Sequence, residues 1–339
     1  MTRVENLCDN HPQNAPDVKG GILQPGDCVA LLADLLRCPS CGQTLNRDRE
    51  GLRCRSGHRR FPTLENLVVL IDAEGLRSFL DTPLGKDLHA QADGGYLTCE
   101  AAISALAGLV EDTARPTSDQ PGGGDTPTYP DDPALAKAVA LAERKMAELA
   151  DVSHRSPLLD MATGPGRFVE SIASLLPSSS LLVCTEIRLQ TIASTRRRLS
   201  SRLRNPTLYV ACDISTVPFR DGAFSAIAGC GALSEIADMA RILRKCYRAL
   251  RPGGILALTG DQYRDPSPSL QIAESLGVGS LATPQRLRAS LQRAGFTVLE
   301  YVTTYEGLDT DTLPDEERCP LPARGDWSAH CVVAARKPT

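Results

Sequence analysis

Asp160, Gly164, Gly166, Glu186 and Asp213 stand at intervals suited to gripping a nucleoside-bearing ligand. The apolar run Leu158-Leu159 leads through Asp160 into Thr163-Gly164-Pro165-Gly166. Glycine has no Cβ, so a glycine turn lets backbone approach a ligand closely. Glu186 closes the next apolar run, twenty residues after Gly166. An ionised carboxylate only accepts, through two oxygens, and so suits a pair of ribose hydroxyls. Asp213 closes the run Leu208-Tyr209-Val210-Ala211-Cys212 and can accept from a base amino group. The bland alternative is a loop glycine pair and three surface carboxylates. A nicotinamide dinucleotide site also wants an acid at this distance, but Val169 stands where its fingerprint has a third small residue.

A second group lies near the front. Cys38, Cys41, Cys54 and His58 follow a C-x2-C-x12-C-x3-H spacing. Zinc takes four sulfur or nitrogen ligands tetrahedrally, and four protein ligands close the site to catalysis. The expected role is a structural Zn2+ in a small ribbon or knuckle whose folding depends on the metal. The remaining cysteines among the twelve are scattered, which argues for a reduced chain rather than a disulfide scaffold. Cys319, His330 and Cys331 invite a second metal reading. Adjacent strand residues point to opposite faces, so packing is the reading preferred for them.

The elements that must position these groups follow from periodicity. Leu135, Val139, Ala142, Met146 and Leu149 recur at helical spacing. Strands are expected at Leu158–Ala162, Leu181–Thr185, Leu208–Ala211, Ala223–Gly229, Ile255–Thr259, Val298–Thr303 and Cys331–Ala335. Helices are expected near 167–176, 189–204, 235–250 and 284–294. This alternation predicts an α/β fold: a doubly wound, mostly parallel seven-stranded sheet covered on both faces. Ligands of such sheets bind beyond the carboxyl ends of the strands, at the switch point. The expected organisation is a flexible segment 1–30, a zinc module 31–75, a connecting region and Pro/Gly-rich linker 76–133, and the sheet domain 134–339.

Composition narrows the class. With 42% hydrophobic residues the chain can build a real core, and with 4% aromatics that core must be mainly aliphatic. The formal net charge of −4 gives no global attraction to nucleic acid or anionic lipid. No apolar run reaches membrane-spanning length and no signal peptide is evident, so no membrane partner and a cytoplasmic location are expected.

The motifs also carry a resemblance. LLDMATGPGRF, Glu186, ACDISTVPFRDGAFSAI and YRALRPGGILAL resemble successive motifs of class I S-adenosylmethionine-dependent methyltransferases of the type 11 group, over residues 134 to about 261. The resemblance implies S-adenosyl-L-methionine as cofactor. Gly164 and Gly166 would line its methionine end, Glu186 its ribose and Asp213 its adenine side, with Asp160, Ala162, Ile214 and Cys230 completing the set. Ser225 departs from the family's usual Asp. The front segment CPSCGQTL…GLRCRSGHRRFPTLENLVVLI is similar to the zinc finger of rRNA guanine methyltransferases, and to the small zinc-binding activator of tRNA and translation-factor methyltransferases. The first likeness implies RNA recognition, the second a protein partner.

Methyl transfer depends mainly on holding an in-line nucleophile close to an activated methyl group. The loop after the fourth strand, Gly229-Cys230-Gly231-Ala232-Leu233-Ser234-Glu235, should lie beside that group. It carries neither the [DN]-P-P-[YF] motif of amine acceptors nor a Pro-Cys nucleophile. Cys230 reads as a small packed residue before a nucleophile, and Glu235 as an acid at a helix N-terminus before a base. Tyr263 and Arg264 follow the fifth strand, either as loop surface or as substrate contacts. Arginines crowd the zinc cluster, the segment Arg188–Arg204 and the segment Arg241–Arg251. They read either as a grip on RNA phosphate or as solvated helix faces. No catalytic residue is assigned. The expected function is methyl transfer to RNA (ribosomal or transfer) or to a small molecule. The alternative is a cofactor-binding regulatory or scaffold protein without turnover.

Overall fold

A computed structural model describes residues 25–48, 51–57, 60–71, 133–215, 219–309 and 319–339. His58, most of the segment 1–30 and nearly all of 76–133 lie outside the described residues.

Four strands and a helix form the front. Helix α1 (Pro25–Leu35) begins inside the expected lead-in and is followed by β1 (Leu45–Asp48), β2 (Gly51–Cys54), β3 (Arg60–Leu64) and β4 (Leu67–Val69). Helix α2 (Pro133–Ala150) opens the second part. It buries Val139, Ala142 and Met146, the stripe set by its periodicity. Then come β5 (Leu158–Asp160), α3 (Arg167–Ile172), β6 (Leu182–Glu186), α4 (Leu189–Leu199), β7 (Thr207–Ala211) and β8 (Phe224–Gly229). The chain continues with α5 (Ala232–Glu235), α6 (Met239–Ala249), β9 (Leu250–Tyr263), α7 (Pro268–Ser275), α8 (Pro284–Arg293), β10 (Thr297–Leu308) and β11 (Trp327–Arg336).

The seven expected strands pair in the order β7-β6-β5-β8-β9-β11-β10. β11 is antiparallel to both neighbours, and the other pairings are parallel. The connections reverse direction between β5 and β8, which creates the switch-point crevice. One face packs on α2, α3 and α4, and the other on α1, α6 and α8, so the sheet is doubly wound.

The sheet does not stop at seven strands. β4 pairs in parallel with β7, with Leu67, Val68 and Val69 opposite Tyr209, Val210 and Ala211. β3, β2 and β1 extend it antiparallel to eleven strands. The reason is hydrophobic. Leu67, Val68, Val69 and Leu70 are each at most 2% exposed, and full burial of such side chains contributes about 1.5–3 kcal/mol apiece. They also cover what would be a bare edge on β7.

Several expected boundaries move. The helix expected over 235–250 is broken: α5 ends at Glu235, and α6 starts at Met239 after Asp238, whose φ is 49°. Glu235 is therefore the last residue of a short helix, not an acid at the start of a long one. The helices expected over 167–176 and 189–204 end at Ile172 and Leu199. β9 runs to Tyr263, so Tyr263 is neither loop surface nor an open contact: it is 3% exposed, packed with Leu270 and Ala273. Among the described residues, no helix is long and apolar enough to cross a membrane.

Candidate functional site

The glycine turn after β5 is braced from β6 and α4. Thr163 donates through its hydroxyl to the Asp160 carbonyl at 3.1 Å and accepts from the Thr185 amide at 3.1 Å. The Thr163 amide donates to the Thr185 carbonyl at 2.7 Å. Thr195 on α4 donates to the Gly164 carbonyl at 2.9 Å. Gly164 and Gly166 have φ of 52° and 76°, the left-handed region that disfavours side chains. A Cβ on Gly166 would meet Thr195 Cγ2 at 2.6 Å, whereas one on Gly164 would meet nothing within 4 Å. Gly166 thus permits packing, and Gly164 borders open space. Thr163, Thr185 and Thr195 gave no sign of this role in the sequence, because threonine is common in strands and turns.

Glu186, buried at the end of β6, joins this unit. Its Oε2 accepts from the Gly164 amide, and its Oε1 from the amides of Ile187 and Arg188, each at 3.0 Å. Each carboxylate oxygen carries two lone pairs, so acceptor capacity remains. One strand over, the Cys212 amide donates to the Glu186 carbonyl at 2.9 Å. Asp213 is capped locally: Ser215 donates to it through its amide at 2.7 Å and its hydroxyl at 2.5 Å. Ile214 beside it is buried. Asp160, Glu186, Asp213 and Cys230 therefore end neighbouring strands on one sheet edge, as their spacing predicts. Ala162, with φ of 55°, sits in the same turn.

Asp160 is 1% exposed, and neither of its carboxylate oxygens has a hydrogen-bond partner among the described residues. Burial, opposed by Thr163 and reinforced by Glu186 and Glu143, lifts its carboxyl to about 7. Glu235 is an exposed residue whose carboxylate folds back toward Gly231. Protein atoms crowded around that carboxylate, and then Glu186, raise it to about 7, with Arg188 opposing. Burial pushes the Cys230 thiol up to about 12. It accepts a hydrogen bond from Thr259 at 3.7 Å, as a packed thiol would, and is a poor nucleophile in that state.

Two groups beside this edge, Glu143 and His330, have surroundings that the sequence did not show. Glu143 on α2 is 6% exposed and lies 3.4 Å from Arg167 Nη2. Burial raises its carboxyl, with Arg167 and His330 opposing. Its signal was an acid next to Ala142 on the apolar stripe. His330 is not packed like Cys331, which faces the opposite core. It is paired with Asp261, at 2.9 Å from Nδ1 to Oδ1. These two are 69 residues apart, and only strand register brings them together.

At the front, the sulfurs of Cys38, Cys41 and Cys54 lie within 4.8 Å of one another, with Cys41 and Cys54 at 3.5 Å. Among the described residues this is the only such cluster. Two arginines of α4 and one just beyond it make contacts within the molecule, while Arg197 is exposed. Arg196 donates to Asn66 Oδ1 at 2.6 Å and pairs with Glu65, while Arg198 and Arg202 pair with Glu170. Arg248 pairs with Asp221 at 3.1 Å. Arg264 stacks over Trp327 at 4.8 Å.

Residues 159–258 match the family model described as a methyltransferase domain, Methyltransf_11. An uncharacterized 37.1 kDa protein of transposon TN4556 from Streptomyces fradiae is 27% identical over 68% of this chain and 64% of its own length. The ubiquinone/menaquinone biosynthesis C-methyltransferase UbiE of Cellvibrio japonicus is 30% identical over 34% of this chain and 47% of its own. The chain thus spans less than two thirds of either relative. The crystal structure of the N-methyltransferase NodS from Bradyrhizobium japonicum WM9, in complex with S-adenosyl-l-homocysteine, aligns with 69% of this chain and 98% of its own at 18% identity and a TM-score of 0.45. The glycine turn, the acids of β5, β6 and β7 and the loop after β8 all fall inside the segment that matches the methyltransferase-domain model.

Proposed function

We propose that this chain is an S-adenosylmethionine-dependent methyltransferase acting on a small-molecule acceptor. The observation that carries the reading is the buried carboxylate of Asp160, with Thr163 beside it but no well-formed hydrogen bond among the described residues, next to a glycine that borders open space. A buried acid without partners is costly unless a ligand completes it. S-adenosylmethionine supplies a cationic sulfonium with an activated methyl group. Asp160, Glu143 and Glu235 would make its surroundings negative. Gly164 would let backbone lie against the methionine end, Glu186 would accept from the ribose, and Asp213 and Ile214 would border the adenine. Cys230 would be a wall of the pocket rather than a reactant.

A small acceptor is favoured over RNA because Arg196, Arg198 and Arg202, three of the arginines along this segment, already pair with Glu65 and Glu170. Quinone-type acceptors are the first class to try, since UbiE of Cellvibrio japonicus is a ubiquinone/menaquinone biosynthesis C-methyltransferase by name. The front cluster fits Zn2+: tetrahedral bonds of about 2.3 Å put thiolates about 3.8 Å apart, near the spacing found. Cys38, Cys41 and Cys54 would hold the ion, with His58 as the expected fourth ligand. The ion would brace the strands that extend the sheet.

The test is calorimetric titration with S-adenosylhomocysteine, followed by label transfer from methyl-labelled cofactor into fractionated extract. Micromolar binding and label in small molecules are expected. Label confined to RNA would reject the acceptor reading, and absent cofactor binding would reject the whole.

A further inference from the structure

Strand register builds a second polar group on the face covered by α2. Asp261 and Tyr305 are the cross-strand partners of His330 on either side. Directly paired residues of antiparallel strands project to the same face. Asp261 Oδ1 lies 2.9 Å from His330 Nδ1. The other ring nitrogen, Nε2, is buried and has no hydrogen-bond partner among the described residues. An ionised Asp261 accepts only, so in the neutral ring Nδ1 carries the proton and Nε2 presents a lone pair. Buried ring nitrogens are normally satisfied, and here a partner is missing on the side away from Asp261.

Strand geometry sets the pair next to the loop after β8: the Asp261 amide donates to Ser234 Oγ at 2.6 Å, and Thr259, two residues earlier on the same face, donates to Cys230 Sγ at 3.7 Å and accepts from the Gly231 amide at 2.8 Å. Glu143 of α2 senses His330 and Arg167, and acts in turn on Asp160 and on Cys230. Asp261 acts on Glu235. The charged and titratable groups facing the imidazole are thus Asp261 from β9, Tyr305 from β10, and Glu143 from α2 with Arg167 of α3 behind it. None of them occupies Nε2.

Resting on the methyltransferase reading, we infer that His330 is a catalytic base, with Asp261 its positioning residue. Nε2 takes the proton from a hydroxyl of the acceptor. The electron pair left on the acceptor's oxygen, or on a conjugated ring carbon, forms the new bond to the methyl carbon. The bond from that carbon to sulfur breaks, and its electrons stay on sulfur as a neutral thioether. The proton rests on the imidazole, now a cation facing Asp261; where oxygen attacks, solvent then removes it. Where a ring carbon attacks, its own proton then leaves to solvent as the aromatic system is restored, and the imidazolium returns its proton to the oxygen, so one proton is released in all. The acceptor class is therefore a phenol or enol rather than an amine, which needs no prior deprotonation.

The experiment uses the full chain loaded with S-adenosylhomocysteine and 4-nitrophenol, whose anion is coloured. Wild type, H330Q and D261N should bind S-adenosylhomocysteine equally by calorimetry. Wild type should bind nitrophenol as the anion, lowering its apparent pKa by about one unit, a tenfold shift. H330Q should abolish that shift and D261N should reduce it. Nitrogen NMR of ligand-free chain should show His330 protonated on Nδ1, and lose that preference in D261N. No saturable nitrophenol binding, an equal shift in H330Q, or an Nε2-protonated ring would overturn the inference. Failure of wild type to bind S-adenosylhomocysteine would instead remove the methyltransferase reading beneath it.

Discussion

The amide of Gly164 donates to Oε2 of Glu186 at 3.0 Å, so the glycine turn after β5 and the acid ending β6 form one hydrogen-bonded unit. The acid therefore shapes the turn before any ligand arrives. Glu186→Gln replaces one acceptor oxygen with a donor and removes the charge. Charge-assisted bonds of this kind contribute about 1.5–3 kcal/mol. S-adenosylhomocysteine affinity should fall at least about tenfold by calorimetry, and an unchanged affinity would remove Glu186 from the site.

The two glycines should respond differently. Gly166→Ala puts a methyl 2.6 Å from Thr195 Cγ2 and 2.9 Å from Leu199 Cδ1, at a positive φ. Backbone strain of about 1–2 kcal/mol and overpacking of about 1–3 kcal/mol should lower the melting temperature. Gly164→Ala bears similar strain but meets no atom. It should melt closer to wild type yet lose cofactor affinity, because its methyl enters the open space. Equal melting with retained binding in both variants would contradict this division.

Binding should depend on pH through Asp160. Its folded carboxyl titrates at about 7, against about 3.9 when unfolded. The folded pKa is raised, so this group's stabilising contribution is present below about 3.9 and lost as pH rises through about 7. A cationic sulfonium favours the ionised acid, whereas a neutral thioether does not. The affinity ratio of S-adenosylmethionine to S-adenosylhomocysteine should thus rise by up to about tenfold as pH passes from 6 to 8. Asp160→Asn should flatten the ratio. A flat ratio in wild type would show that the carboxylate does not face the sulfonium.

Metal loss at the front should reach the sheet. Cys41→Ser should release zinc, read by elemental mass spectrometry. Because the Tyr209 amide donates to the Asn66 carbonyl at 2.8 Å, hydrogen exchange at Tyr209 should speed up together with that of the front strands. Release of metal with Tyr209 still protected would mean that β4 holds its place without it.

Arg196→Ala should also loosen this junction, since Arg196 ties α4 to Asn66 and Glu65. A loss of about 1–2 kcal/mol in chemical denaturation is expected for a part-buried, charge-assisted contact. RNA affinity should not change. Weakened RNA binding with unchanged stability would reverse the assignment of this arginine.

Local chemistry made much of this protein legible in its sequence. The glycine turn, the acids of β5, β6 and β7, the stripe on α2 and the cysteine spacing each depend on residues near one another in the chain. Period and turn chemistry are local properties, so they survive translation into structure. The broken helix at Ile236–Asp238 was not legible, because its residues keep helical periodicity and only the left-handed Asp238 interrupts it. Three features were decided by tertiary structure alone. The run Leu67–Leu70 reads as the end of a small module, yet Leu67–Val69 form a strand of the main sheet, paired with the apolar edge of β7. Arg196 and Arg198 of α4 read as free charge until Glu65 and Glu170 are brought to them across the fold. Asp261 and His330 become a pair only through the antiparallel register of β9 and β11. Register is set by burial of a whole strand face, a property that no window of sequence around either residue contains.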